Sequence, residues 1–374
     1  MFSMQESRKI IFQPALPRYR LDFFERVERR FGERFTVYYS QTDMGALTAS
    51  ISDRRWARRL SPMRALLPGL EWQPGVLSTP VRRGDIVVVC GAPRTISSMV
   101  MLIWARLRGA KTVWWGHYWS STSKAHRFFL RRQLMRFASA LLFYTDQEVE
   151  EYKVSHGKHD RRIVTALNNG IDVDPIAALR TPYDPAKRDK AVLFIGRLTA
   201  KAELPLLLKA LADPRLGDVR LEVIGDGEER RSLETLAGTL ALGDRIVWHG
   251  GTTDEAAIAR IANNCRLFVY PGGVGLSLLH AMAYGLPVVV HDDRRAQMPE
   301  IAAFYRAENG LSFRRGDSAA LANALVLAFE RVTVDRTWSD AAIGVTENDF
   351  NTKEMAERFC ELMAHLERGD RDAS

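Results

Sequence analysis

Three glycines within four residues, Gly272, Gly273 and Gly275, separate an apolar run ending at Tyr270 from a second apolar run, Leu276 onward, whose spacing is helical. The order is strand, glycine loop, helix, and then another strand over Pro287–His291. Without Cβ atoms such a loop lets the backbone come close to a ligand and turn sharply. The first free N–H groups of the helix and the positive end of its dipole then face an anion such as a diphosphate. Two earlier strings have the same form: Phe194-Ile195-Gly196-Arg197 and Val223-Ile224-Gly225-Asp226-Gly227 each run from an apolar strand into glycine. Arg197 adds a guanidinium whose planar fork matches phosphate oxygens, which points to charge neutralisation of a diphosphate.

These residues must be carried by strand ends, and the sequence supplies the strands. Lys9–Gln13, Phe35–Tyr39, Asp85–Cys90, Lys111–Trp115 and Ala140–Tyr144 read as strands, with helices over Leu21–Arg30, Thr95–Arg108 and the heavily basic Lys124–Phe137. A second series, Ala191–Ile195, Arg220–Ile224, Arg245–His249, Arg266–Tyr270 and Pro287–His291, follows the turn-forming Asn168-Asn169-Gly170 and a polar, Pro-containing stretch to Lys190. Strands alternating with helices predict βαβ units on parallel sheets. The expected architecture is two Rossmann-like, doubly wound domains facing one another across a cleft: residues 1–175, residues 176–345, and a C-terminal helix within 346–374 that packs back on the first. Ligands of such sheets bind beyond the carboxyl ends of the strands, so the loops at Gly196, Gly225, Gly250 and Gly272 should share one rim.

Composition fits this reading and narrows it. The 374 residues are 46% hydrophobic and 26% charged, ordinary for globular protein and long enough for two cores. The polar start and the lack of any apolar run near membrane-spanning length predict a cytoplasmic protein. Cys90, Cys265 and Cys360 are scattered, and suggest neither disulfides nor a zinc cluster. Residues 1–175 hold 28 Lys/Arg against 16 Asp/Glu, a net +12, which leaves 25 against 29, or −4, for the rest. A field confined to one half draws an anionic partner there. The strings that would define a Rossmann dehydrogenase, a P-loop kinase or an RNA-recognition module are absent, and no nucleic-acid partner is expected.

The string Tyr270 to Val290 resembles the donor-binding segment of the retaining GT-B glycosyltransferases, a group typified by bacterial transferases that build lipopolysaccharide and other cell-surface polysaccharide. The resemblance extends through Phe194–Leu198, Val223–Glu228, Ile246–Gly250, Gln297–Glu300 and Asn309-Gly310. It implies a GT-B fold, a nucleotide-diphosphate sugar as donor, no metal ion and no cofactor. Carried over residue by residue, the donor-binding set is Gly196, Gly225, Asp226, Gly272, Gly273, Val274, Gly275, Leu276, His280 and Glu300. Arg197 acts on the departing diphosphate with Lys201 beside it, although Lys201 stands one position before the family's usual lysine. His117, at a strand end after Trp114-Trp115-Gly116, matches a histidine that the family places near the sugar. Arg18, Tyr19 and Arg20 follow the first strand on the acceptor side.

One departure is large. The family carries two acids spaced eight apart, on the sugar and on the ribose, where this chain has Gly272 and His280. That leaves room for a catalytically inactive nucleotide-sugar-binding relative, or for a sugar-nucleotide epimerase of similar fold. The expected acceptor is an anionic, lipid-linked or saccharide glycan at the cytoplasmic face of the inner membrane. Arg54, Arg55, Arg58 and Arg59 with Trp56, and the basic helix Lys124–Phe137, are the segments expected to touch the headgroup layer.

Overall fold

Near-continuous apolar runs make the central strands, because a parallel strand covered by helices on both faces is buried along its length. In the computed structural model, which describes residues 7–40, 54–118, 125–157, 160–334 and 336–368, the chain divides into two units. One comprises residues 1–169 with 352–374, the other residues 170–351.

The first unit is built on β1 (Lys9–Gln13), α1 (Leu21–Phe31), β2 (Phe35–Tyr39), β3 (Ala57–Arg59), a hairpin of β4 (Arg64–Leu67) and β5 (Leu70–Trp72), β6 (Ile86–Cys90), α2 (Ile96–Leu107), β7 (Lys111–Trp115), α3 (Ala125–Met135), β8 (Ala140–Phe143), α4 (Asp146–Tyr152) and β9 (Ile163–Ala166). Seven strands form one sheet in the order β3-β2-β1-β6-β7-β8-β9, every neighbouring pair parallel. The chain runs outward from β1 in one direction and then from β6 in the other. The strand order therefore reverses between β1 and β6, where a doubly wound sheet opens its ligand crevice.

The second unit contains α5 (Asp174–Leu179), β10 (Ala191–Ile195), α6 (Leu204–Leu211), β11 (Arg220–Ile224), α7 (Arg230–Thr239), β12 (Ile246–Gly250), α8 (Glu255–Ala262), β13 (Leu267–Tyr270), α9 (Leu276–Ala283), β14 (Val288–His291), β15 (Gly310–Phe313), α10 (Ser318–Val334) and α11 (Thr337–Asn348). Its six-stranded sheet, β12-β11-β10-β13-β14-β15, is again parallel and reverses between β10 and β13. Those two strand ends carry Gly196 and the glycine loop. Each unit is thus α/β, a doubly wound, Rossmann-like parallel sheet.

The last helix, α12 (Thr352–Arg368), belongs to the first unit. Phe359 meets Phe23 of α1 edge-on, with ring centroids 5.7 Å apart, and Glu367 pairs with the wholly buried Lys9 of β1. The units part at 169/170 and 351/352, six residues on either side of the boundaries expected from the sequence. Gly170 marks the first crossing, since a Cβ there would lie 2.3 Å from the Asn351 backbone nitrogen.

The segment 54–60 needs correction. It forms the edge strand β3, and Trp56 is 4% exposed, packed on Phe24 and Phe35 at ring-centroid distances of 5.5 and 6.3 Å. Its apolar character serves the core, so Trp56 is no membrane anchor. Arg54 is paired with Glu25 at 2.9 Å. Lys124, the expected start of the basic helix, lies outside the described residues.

Candidate functional site

At the carboxyl ends of β10, β11 and β13 the backbone is packed more closely than side chains allow. A Cβ on Gly272 would stand 2.0 Å from the Lys201 carbonyl oxygen, and one on Gly225 would stand 1.8 Å from that of Gly196. The glycines are therefore demanded by loop-on-loop contact. This contact also gives Gly272 a physical reason. The space a carboxylate would need is filled by the turn Ala200–Ala202, which presses the Arg197–Lys201 loop against the glycine loop.

That contact brings the expected donor-side residues together. Arg197 and Lys201 are both exposed, and neither has an ion-pair partner among the described residues, so two cations stand unneutralised beside the loop. Leu198 N–H donates to the Asp226 carbonyl at 2.9 Å, and the Asp226 carboxylate accepts from Gly227 N–H at 2.8 Å; Asp226 braces the Arg197 loop. The glycine loop is held from its other side. Gln297 accepts from Val274 N–H at 2.8 Å and donates to the His291 carbonyl at 3.0 Å. Gly275 precedes Leu276, the first residue of α9, and the buried Glu300 carboxylate lies 3.8 Å from where a Gly275 Cβ would be. Asp292 and Asp293 serve the turn after β14: Asp292 accepts from Arg315 N–H and Asp293 from Arg295 N–H.

His280 sits one and a half turns into α9, half-buried, and its Nε2 lies 2.8 Å from the Glu255 carboxylate. Tyr284, fully buried one turn later, donates its hydroxyl to the same oxygen at 2.5 Å. Burial pushes the Glu255 carboxyl up, and the bonds from His280 and Tyr284 outweigh this and hold it below its usual range. A carboxylate is thus present beside position 280, supplied by the first residue of α8. Sequence reasoning missed Glu255 because nothing in its own neighbourhood marks it; the signal lies 25 residues away, in a histidine where the family has an acid.

In the first unit, His117 follows β7. Its Nδ1 lies 3.3 Å from Glu148 Oε1, its ring is 4.5 Å from that of Tyr144, and its side chain remains 36% exposed. Glu148, 2% exposed, also accepts from the backbone N–H groups of Tyr118 and Tyr144. A buried carboxylate receiving the Nδ1 proton fixes the imidazole so that Nε2 is the free edge. Arg131 of α3 donates to the His117 carbonyl at 3.2 Å, and burial lowers its pKa. The sequence singled out His117 but not Glu148 or Arg131, which belong to a later helix and to the basic segment read as a surface.

The three acceptor-side residues separate. Arg18 is exposed and Tyr19 half-buried, whereas Arg20 is 8% exposed. Its Nη2 donates to Asn169 Oδ1 at 2.8 Å, and its guanidinium lies 4.9 Å from the Trp115 ring centre. Among the described residues, the buried Arg20 Nη1 and Arg131 Nε find no hydrogen-bond partner.

Comparison with known proteins bears on the second unit most directly. Residues 176–343 match the family model of glycosyl transferases group 1. The chain is 30% identical over 179 residues to the lipopolysaccharide core biosynthesis glycosyltransferase LpsE of Rhizobium meliloti, covering 47% of this chain and 49% of that protein. It is 27% identical over 140 residues to the lipopolysaccharide 1,6-galactosyltransferase of Salmonella typhimurium, covering 35% and 38%. The matches thus span half or less of these relatives' own lengths. Among solved structures, HepE of Anabaena in complex with UDP superposes with TM-score 0.69 at 17% identity, over 96% of this chain and 100% of that one. The lipopolysaccharide outer core galactosyltransferase WaaB gives 0.68 at 15%, over 96% and 99%. At such identities the likeness is one of fold.

Proposed function

We propose that this chain, whose residues 176–343 match the family model of glycosyl transferases group 1, moves a sugar from a nucleotide-diphosphate sugar to an acceptor hydroxyl with retention of configuration. The observation that carries the reading is the contact of the Lys201 backbone with Gly272. It joins the loop bearing Arg197 and Lys201, two exposed cations with no ion-pair partner among the described residues, to a glycine loop that opens a helix, the arrangement a diphosphate requires.

In the reaction the bond from the anomeric carbon to the diphosphate oxygen breaks. The acceptor oxygen bonds to the same face of that carbon, and its proton passes to the departing diphosphate. Arg197 and the α9 N-terminus stabilise the charge that develops on the leaving group. His117, fixed by Glu148, orients the sugar through its free edge, and the Glu255–His280 pair takes the ribose hydroxyls. No metal is required, since the cations that neutralise the diphosphate are side chains. Cytoplasmic location and a lipid-linked, anionic glycan acceptor, of the kind used in lipopolysaccharide and other cell-surface polysaccharide synthesis, complete the proposal; the net +12 of residues 1–175 supports the anionic acceptor. The test is calorimetric titration with UDP, GDP and their common sugars, followed by release of free nucleotide on adding acceptor glycans. Binding with no turnover on any donor and acceptor would instead assign the chain a binding role.

A further inference from the structure

The basic charge of the first unit is concentrated. Residues 60–137 contain 12 Lys/Arg and two acids, Glu71 and Asp85. Asp85 is buried against Arg8 at 2.6 Å, and Glu71 faces Arg94 at 3.8 Å, so neither balances the remaining arginines. The same stretch holds nine of the fifteen large apolar side chains that are exposed among the described residues.

Seven of these nine stand on α2, α3 and the β4–β5 hairpin. The helices α2 and α3 cross over between the successive parallel strands β6, β7 and β8, which places both on the same face. Their inner residues, Met99, Leu102 and Met135 among them, enter one apolar cluster with Val89, Trp114 and Leu141. On the outer side of α2, Val100, Trp104 and Leu107 recur at helical spacing, with Trp104 43% and Leu107 78% exposed. On α3, Phe129 is 61% and Leu130 53% exposed. The β4–β5 hairpin is tied to the start of α2 by Glu71 N–H to the Arg94 carbonyl at 2.8 Å and Gln73 N–H to Ser97 Oγ at 2.9 Å. It adds Leu66 and Leu67, 53% and 64% exposed. Arg108 lies 5.4 Å from the Trp104 ring centre, with Arg106 and Arg136 exposed nearby in the sequence.

The outer face of a helix on a globular protein is ordinarily polar, and clustered apolar side chains on it mark a surface that is covered. A second copy of the same face would set arginines against arginines. An anionic bilayer answers both features, with headgroup charge for the guanidiniums and an acyl boundary for Trp, Phe and Leu. We propose that α2, α3 and the β4–β5 hairpin form the face by which the first unit lies on an anionic lipid bilayer. The inference rests on the reading that the acceptor is presented at a membrane, and it moves the contact away from Arg54–Arg59, where Trp56 is buried.

Flotation of the full chain with vesicles of phosphatidylcholine, alone or with phosphatidylglycerol, at low and high salt tests it. The wild type should float only with phosphatidylglycerol and only at low salt. A Trp104→Ser/Leu107→Ser/Phe129→Ser/Leu130→Ser variant and an Arg106→Gln/Arg108→Gln/Arg132→Gln/Arg136→Gln variant should each partition about tenfold less or worse. A control with Arg54, Arg55, Arg58 and Arg59 changed to Ser should float like wild type. Failure of the wild type to float with phosphatidylglycerol at low salt overturns the proposal, as does an equal loss in the control. Self-association by light scattering that the four apolar substitutions abolish, without vesicle binding, overturns it in favour of a second copy. UDP titration of each protein separates the two readings: intact UDP binding with no flotation leaves the donor site standing, and a wild type that ignores every nucleotide removes the donor site whatever the vesicles do.

Discussion

The strand ends of the two sheets solve the same problem in opposite ways. In the second unit the loops are glycines packed backbone on backbone, and the cations Arg197 and Lys201 are exposed, with no ion-pair partner among the described residues. In the first unit the loops carry side chains, and the charged groups there, Arg20, Arg131 and Glu148, are buried and tied to neighbours. The contrast teaches where tolerance should lie. A site made of backbone fails when atoms are added, and a site made of buried side chains fails when a partner is removed.

The sharpest way to break this contrast is to restore the family's acid. Gly272→Glu puts a side chain into space held by the Lys201 carbonyl, so it should abolish UDP binding by calorimetry and lower stability by about 3 kcal/mol in denaturant unfolding. A variant that binds UDP as well as wild type would show that the loops are not locked together. Next in size, Glu148→Gln leaves backbone N–H groups facing an amide and frees the His117 ring. Stability should fall by about 2 kcal/mol, and turnover should fall while the affinity for UDP stays unchanged. A fall in UDP affinity with turnover intact would place Glu148 on the donor instead. Arg197→Ala removes an exposed cation, so the melting temperature should hold while UDP affinity drops about tenfold or more. Equal affinities would remove Arg197 from the site. The smallest effect is expected from EDTA, which should leave the rate of nucleotide release unchanged; loss of activity regained with magnesium or manganese would contradict the role given to the side-chain cations.

The fold was legible because buried parallel strands read as plain apolar runs. β1, β2, β7, β10 and β11 fall on the expected residues, and others shift at their ends by a single residue, as Arg245–His249 becoming Ile246–Gly250. The glycine loop was legible for the same local reason. What could not be read depends on pairs remote in sequence. Glu255 matters through His280, Glu148 through His117, and Gly272 through a carbonyl 71 positions earlier. Trp56 among four arginines looks like an interfacial tryptophan until Phe24 and Phe35 are found packed on it. An amphipathic string does not say which of its sides is covered, and this is why the apolar surface of α2 went unremarked while the segment 54–60 drew attention.

The return of α12 to the first unit has a consequence for how the chain is made. Met355, Phe359, Leu362, Met363 and Leu366 complete the cluster that contains Phe23, Phe24 and Trp115, yet they leave the ribosome some 180 residues after Asn169. At ordinary elongation rates of about 5–20 residues per second, the nascent first unit waits on the order of 10–40 s with that apolar surface uncovered. The second unit has all its strands and helices in one continuous stretch and can close during that wait. Synthesis order and folding order are therefore expected to be inverted in this protein, the later unit closing first and the earlier one being sealed by a helix that emerges after it.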